Sequence, residues 1–95
     1  MVGAMHTVDV IREKLTNALA PLALEIEDDS ASHRGHAGAA GGGGHYGVYV
    51  VSAAFEGKGL VARHRIVYDA LASEMKGPIH ALALRTLTPA EAAAA

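Results

Sequence analysis

The sequence predicts a small α+β domain in which helices pack on one face of a mixed three-stranded sheet. Segments of helical and strand periodicity follow one another as helix, strand, strand, helix, strand, short helix. The second and third strands are separated by a helix, so they should pair in parallel through a right-handed crossover. The first two strands follow each other directly and should pair antiparallel. With 95 residues, we expect a single domain over 1–95.

Composition excludes several classes of protein. The net charge is −2, so an interface for nucleic acid would need a local basic patch. The chain has no cysteine, which excludes disulfides and thiolate metal ligands of its own. It has no apolar run of the ~20 residues that span a bilayer, and its start lacks the pattern of a secretory signal. These features predict a cytoplasmic protein without a membrane segment.

The first helix is predicted to begin at Thr7 as N-cap and to end before Pro21. Residues 1–6 are expected to form a flexible N-terminus. The apolar positions recur with helical spacing and define one buried side: Val8, Ile11, Leu15, Ala18 and Leu19.

Two strands follow the first helix. Residues 22–28 alternate apolar and polar, with Leu22, Leu24 and Ile26 pointing inward. Residues 45–52 are rich in β-branched and aromatic side chains and are expected to be apolar on both faces. The segment 29–44 between them is rich in glycine and histidine and predicts a long loop, which in a compact domain is usually functional or disordered.

A second helix should follow the turn at residues 56–59 and run to Lys76, because Gly77 and Pro78 end it. Its apolar side is expected to consist of Val61, Tyr68, Leu71, Ala72 and Met75. The third strand is predicted from Ile79 to Thr86. Residues 88–95 should form a short helix, because Thr88-Pro89-Ala90-Glu91 has the pattern of a capping box.

Taken one at a time, the histidines are ambiguous. His33 and His36 are three residues apart in the loop, and His45 at the start of a strand is expected to make a structural hydrogen bond. His64 lies between Arg63 and Arg65, where a solvated helix surface is at least as good an interpretation as a binding site. Catalysis has little support, because the chain has no cysteine nucleophile, no serine in a nucleophile elbow and no phosphate-binding loop. We therefore expect a protein that is not an enzyme.

The order of four segments is more specific than any of these residues. The segments LEIEDDSASH, HYGVYVVSAAFEG, VARHRIVYDAL and GPIHALALRTLTPAE resemble the BolA family from about Val8 to Glu91. The run Arg63 to Tyr68, with Ile79 to Leu82, is the most specific part. The resemblance implies an α-β-β-α-α-β-α fold similar to class II KH domains. It also implies a short helical element around Lys58 to Leu60, before the main helix.

The resemblance further implies a partner, a monothiol glutaredoxin with a CGFS active site. The heterodimer would share a 2Fe–2S cluster, used in cluster transfer, maturation or iron-redox signalling. Glutaredoxin and glutathione would supply thiolates, and this chain would supply His80 and the loop residue His33, with His36 as its substitute. The isolated chain would hold no cofactor and would be a monomer or a weak dimer.

A second interpretation is a DNA-binding transcriptional regulator, suggested by the similarity to helix-turn-helix and KH arrangements. The residues that would contact DNA surround the second helix: Lys58, Arg63, His64, Arg65 and Lys76. The acidic net charge and the absence of a GxxG before this helix weigh against it.

Overall fold

The computed structural model describes residues 6–30 and 44–95. Within these ranges the order of elements is α1 (Thr7–Leu19), β1 (Ala23–Asp28), β2 (Gly44–Val51), α2 (Leu60–Ala70), β3 (Ile79–Leu87) and α3 (Pro89–Ala94). Short 3₁₀ turns at Ala53–Phe55 and Glu74–Lys76 flank α2. The predicted α+β class and the predicted order of elements are confirmed. No helix of the described ranges is long and apolar enough to cross a membrane.

The sheet has the order β1-β2-β3, with β2 in the centre. β1 pairs antiparallel with β2, and β2 pairs in parallel with β3. Ile26 and Leu84 both lie opposite Val48 and therefore share its face of the sheet. The predicted mixed topology is confirmed.

The hydrophobic core lies between this face and the helices. Its buried members come from α1, β2, the first 3₁₀ turn, α2 and its C-cap, and β3: Ile11, Leu15, Leu19, Tyr46, Val48, Val50, Phe55, Val67, Leu71 and Ile79. Burial along β2 alternates, so that His45, Gly47 and Tyr49 are only half-buried. Helices cover only one face of the sheet, so the side of β2 that carries Gly47 and Tyr49 is less buried than the side that carries Val48 and Val50.

The ends of two elements differ from the prediction. α1 is capped by His6 rather than Thr7, and the His6 side chain makes no capping hydrogen bond. Ala20 adopts a left-handed conformation with φ of 43°, which ends α1 just before Pro21. Leu22 was predicted to point inward but is 73% exposed. Leu22 comes just before the first residue pair of β1, Ala23 opposite Val51, although its N–H still donates to the Val51 carbonyl at 2.8 Å.

The second helix is shorter than predicted, and only part of its predicted apolar side reaches the core: Leu71 is buried and Met75 packs against the core. It ends at Ala70 instead of Lys76, and a turn and the second 3₁₀ turn complete the segment. Val67 and Leu71 are fully buried, whereas Val61 is 73% exposed and Tyr68 39%. The short helical element implied near Lys58 lies instead at Ala53–Phe55, where the buried Phe55 anchors it.

A buried serine joins three elements at the end of β2. Ser52 is fully buried, and its hydroxyl donates to the Leu19 carbonyl at 2.7 Å. The same Oγ accepts the Ala54 N–H at 3.1 Å, and the Ser52 N–H donates to the Leu87 carbonyl at 3.0 Å. Ser52 therefore holds the end of α1, the first 3₁₀ turn and the end of β3 together.

An arginine of α2 holds the C-terminal helix. The Arg63 guanidinium donates to both Glu91 carboxylate oxygens, at 2.6 and 3.1 Å, and to the Thr86 carbonyl at 3.1 Å. Its Nε donates to the Lys58 carbonyl at 2.7 Å. Thr88 and Glu91 form the predicted capping box of α3. The hydrogen bonds from Arg63 and then from the Thr88 backbone lower the pKa of Glu91 from 4.5 to about 2.

Replacement of Ser52 should lower stability. Ser52→Ala leaves the Leu19 carbonyl without its donor in a buried site, and we expect a loss of about 1–3 kcal/mol in the free energy of unfolding. The exposed Ser73 makes no capping hydrogen bond, so Ser73→Ala should change stability by less than about 0.5 kcal/mol. Urea denaturation measures both variants. Equal effects of the two substitutions would contradict the structural role of Ser52.

The Arg63–Glu91 pair should give stability a specific dependence on pH. The pKa of Glu91 is lower in the folded chain than in the unfolded chain. The Glu91 carboxylate therefore stabilises the fold above about pH 4.5, and this stability is lost as pH falls towards 2. Glu91→Gln retains a side chain suited to the capping box but removes the charge. We expect its melting temperature to lie below that of the unsubstituted chain at pH 7, with the gap closing between pH 4.5 and 2. Glu13→Gln, on the exposed surface of α1, is the control, and an equally large gap for it would refute the assignment.

Candidate functional site

Two histidines meet where β2 and β3 begin. His45 is the second residue of β2, and His80 is the second residue of β3. Because the strands run in parallel, their starts lie at the same edge of the sheet. The ring centroids are 5.4 Å apart, and the ring planes are inclined by 51°. The fold therefore brings together two imidazoles that are far apart in sequence.

A shift in register exposes His80. Gly44 lies opposite Ile79, but His45 lies opposite Ala81, so β3 has one extra residue, His80, at this point. Such bulges commonly redirect a side chain. Ile79 is only 2% exposed, whereas His80 is exposed. The imidazole of His80 is therefore accessible to a partner or ligand.

Hydrogen bonds hold the backbone on which these histidines lie. The Gly44 N–H donates to the Pro78 carbonyl at 2.8 Å, which ties the start of β2 to the turn before β3. The His45 N–H donates to Ser30 Oγ at 3.0 Å, and the Asp29 N–H donates to the His45 carbonyl at 2.7 Å.

Gly44 itself has a steric reason to be glycine. A Cβ atom at this position would lie 2.5–2.7 Å from the Tyr46 side chain, which is 8% exposed. The Tyr46 ring therefore closes over a position where no side chain fits.

Sequence reasoning assigned His45 only a structural hydrogen bond, and the structure adds the contact with His80. The sequence did place both histidines at the starts of two strands expected to be parallel, and such strands begin at one edge of the sheet. The register shift between them could not be predicted. The predicted ligands His33 and His36 lie outside the described residues.

The predicted basic residues do not form one patch. Lys58 and Arg63 lie near the ends of β2 and β3, since Arg63 contacts the Thr86 carbonyl. Lys76 lies in the second 3₁₀ turn, just before β3 begins, at the opposite end of that strand. The Arg63 side chain is only 12% exposed and is paired with Glu91. His64 is half-buried, and its Nε2 has no hydrogen-bond partner among the described residues. Lys58 and Arg65 are the exposed cations next to this helix.

The open face of the sheet carries a shallow acidic groove of about 870 Å³. Glu25, Glu27 and Asp29 line it together with Tyr49 and Arg85, whose guanidinium lies 5.7 Å from the Tyr49 ring centroid. A hydrogen bond to Asp29, the negative charge of Asp29 and desolvation raise the pKa of Glu27. Among residues 6–30 and 44–95, no group of three or more acidic, histidine or cysteine side chains is arranged to hold a metal.

Known proteins with similar sequences and structures share this architecture. The chain is 47% identical over 90 residues to human BolA-like protein 1, covering 94% of this chain and 64% of that protein. It is 42% identical over 78 residues to the DNA-binding transcriptional regulator BolA of Escherichia coli strain K12, covering 82% and 71%. The structure of the BolA domain of SufE1 from Arabidopsis thaliana matches with a TM-score of 0.79 and 45% identity, covering 93% and 99%.

The chain spans 23% to 64% of the length of the first curated relatives that it matches. The family model described as BolA-like protein matches residues 15–91, which include α2, β3 and both histidines at the start of the strands. The matched residues cover most of the chain, and the solved relatives have the same fold. This chain therefore belongs to the BolA family.

Proposed function

We propose that this chain binds a monothiol glutaredoxin with a CGFS active site and helps to ligate a 2Fe–2S cluster. The observation that carries the proposal is the exposure of His80 at a bulge, in a member of the BolA family that has no cysteine. An accessible imidazole can ligate iron, whereas the thiolates have to come from glutaredoxin and glutathione. The chain is therefore a binding partner, and we assign no catalytic reaction to it.

The donor atoms of this chain suit such a cluster. His80 offers a neutral imidazole, a ligand type found on iron in Rieske centres, and imidazole ligation raises the potential of a cluster above that with thiolates alone. We assign the second ligand from this chain to His33 of the loop, with His36 as its substitute. Cluster transfer, maturation or iron-redox signalling are the roles that a ligand set divided between two proteins favours.

The relatives support an iron–sulfur role at a coarse level, because a BolA domain also occurs in SufE1. We place the function of this chain in the cytoplasm, as its composition predicts. The similar Arabidopsis proteins SufE-like protein 1 and BOLA1 are named for the chloroplast or mitochondrion.

Loss of His80 should change the shared cluster. We expect His80→Ala to alter the visible circular dichroism of the cluster reconstituted with a CGFS glutaredoxin and glutathione, because an iron ligand is removed. His6→Ala is the matched control, since His6 is exposed and its side chain makes no capping hydrogen bond. Size-exclusion chromatography in parallel measures whether the two proteins still associate.

The outcomes separate the parts of the proposal. If the heterodimer forms and the His80→Ala spectrum equals that of the unsubstituted chain, the ligand assignment is wrong. If the unsubstituted chain forms the heterodimer but that heterodimer shows no cluster signal, the chain acts as an adaptor and does not ligate iron. If no heterodimer forms, the glutaredoxin partnership itself is refuted.

DNA binding is the second candidate, favoured by the name of the Escherichia coli relative. We assign the DNA contacts to Lys58 and Arg65, the exposed cations of the predicted set near the start of α2. Arg63 is paired with Glu91, His64 is half-buried, and Lys76 lies at the other end of β3. A protein that uses these cations should bind DNA less tightly as salt increases.

The DNA hypothesis predicts different effects for neighbouring arginines. Arg65→Ala should weaken DNA binding and reduce the slope of log affinity against log salt by about 1. Arg63→Ala should act mainly by lowering stability. Arg12→Ala, an exposed cation on α1, is the control in the same fluorescence-anisotropy titration. Equal losses for Arg65→Ala and Arg12→Ala, or no binding at about 0.15 M salt, would refute specific recognition.

A further inference from the structure

We propose that the isolated chain binds a divalent transition-metal ion, such as Zn²⁺, through the imidazoles of His45 and His80. This site needs neither glutaredoxin nor a cluster, so it goes beyond the function proposed above. It rests on the geometry at the start of β2 and β3, where the register shift brings the two rings together.

The separation of the rings is compatible with a shared metal. With a zinc–nitrogen distance of about 2.0–2.1 Å, each imidazole centroid lies roughly 3.2 Å from the ion, and two rings on a tetrahedral ion lie about 5.2 Å apart. The observed separation is 5.4 Å. The inclination of 51° is compatible with binding, because each ring plane must contain the ion but the two planes need not be parallel.

The protein holds both backbones before any ion arrives. The hydrogen bond from the Gly44 N–H to the Pro78 carbonyl ties the two strand starts together. The His45 carbonyl accepts from the Asp29 N–H, and the His45 N–H donates to Ser30 Oγ. A ligating histidine uses one ring nitrogen and can keep its other nitrogen in a hydrogen bond. The backbone at both histidines is therefore held in place when an ion binds.

The composition of the site predicts which ion it takes. Imidazole nitrogen suits Zn²⁺, Cu²⁺ and Ni²⁺, whereas Mg²⁺ prefers oxygen ligands and octahedral geometry. The described residues offer no group of three or more ligands, and we assign the remaining coordination of an ion bound to the histidine pair to water. His80 is exposed and His45 half-buried, so solvent has access.

Calorimetric titration of the full chain, without an affinity tag, tests the site with ZnCl₂ and with MgCl₂. We expect one Zn²⁺ per chain and no Mg²⁺ binding. His45→Ala and His80→Ala should each weaken Zn²⁺ binding at least about tenfold, since each removes one of two protein ligands. His64→Ala and His6→Ala are the matched controls and should leave the affinity unchanged.

A second measurement guards against misfolded variants. Zn²⁺ should raise the melting temperature of the unsubstituted chain and of both controls, but not of His45→Ala or His80→Ala. Far-ultraviolet circular dichroism, with the apo melting temperature, shows whether each variant has kept the fold. If an alanine variant has lost the fold, the Zn²⁺-dependent change in melting temperature is measured instead for His45→Gln or His80→Gln.

Three results would overturn the proposal. The unsubstituted chain could fail to bind Zn²⁺ at millimolar concentration, or a folded variant lacking His45 or His80 could bind with undiminished affinity. The third result is loss of Zn²⁺ binding in the double variant His33→Ala/His36→Ala together with undiminished Zn²⁺ binding in His45→Ala. That result would assign the ion to the loop. All of these measurements are made without glutaredoxin, so their failure would leave the proposed partnership untouched.

Discussion

The parallel pairing of β2 with β3 is the constraint on which the rest of the structure depends. A crossover through α2 has to return the chain to the edge where β2 began, so both strands start together. The single-residue shift at this edge then leaves His80 exposed beside His45. At the other end of the same strands, Ser52 bonds to the last residue of β3, and Arg63 bonds to the carbonyl before it.

The two ends of this strand pair therefore have different chemistry. The starting end presents two imidazoles to solvent, next to a groove that Asp29 and His45 line. The far end is closed by buried or partly buried polar contacts among α1, α2, β3 and α3. Within the Arg-His-Arg run, Arg63 stabilises α3, His64 is half-buried and Arg65 is exposed. The run is thus mostly structural, whereas the exposed imidazole of His80 lies at the other end of the strand pair.

Periodicity predicted the elements better than it predicted burial. It located each described helix and strand, and the capping box at Thr88 has the expected contacts. It was wrong for Leu22 and Val61, which are apolar but exposed. A period defines which residues share a side of an element, but burial also requires another element to cover that side. Leu22 comes just before the first residue pair of β1, and the core contacts Val67 of α2 and Leu71 at its C-cap.

By itself, the sequence determined the order of the elements, the mixed topology, the absence of cysteine and the candidacy of His80. The order and the topology follow from local patterns and from the geometry of a crossover, the absence of cysteine follows from composition, and the candidacy of His80 follows from the resemblance to the BolA family. Only the tertiary structure decided that His45 contacts His80 and that Arg63 is paired with Glu91. Each of these depends on register and on contacts between residues distant in sequence, for which a single chain has no local signal.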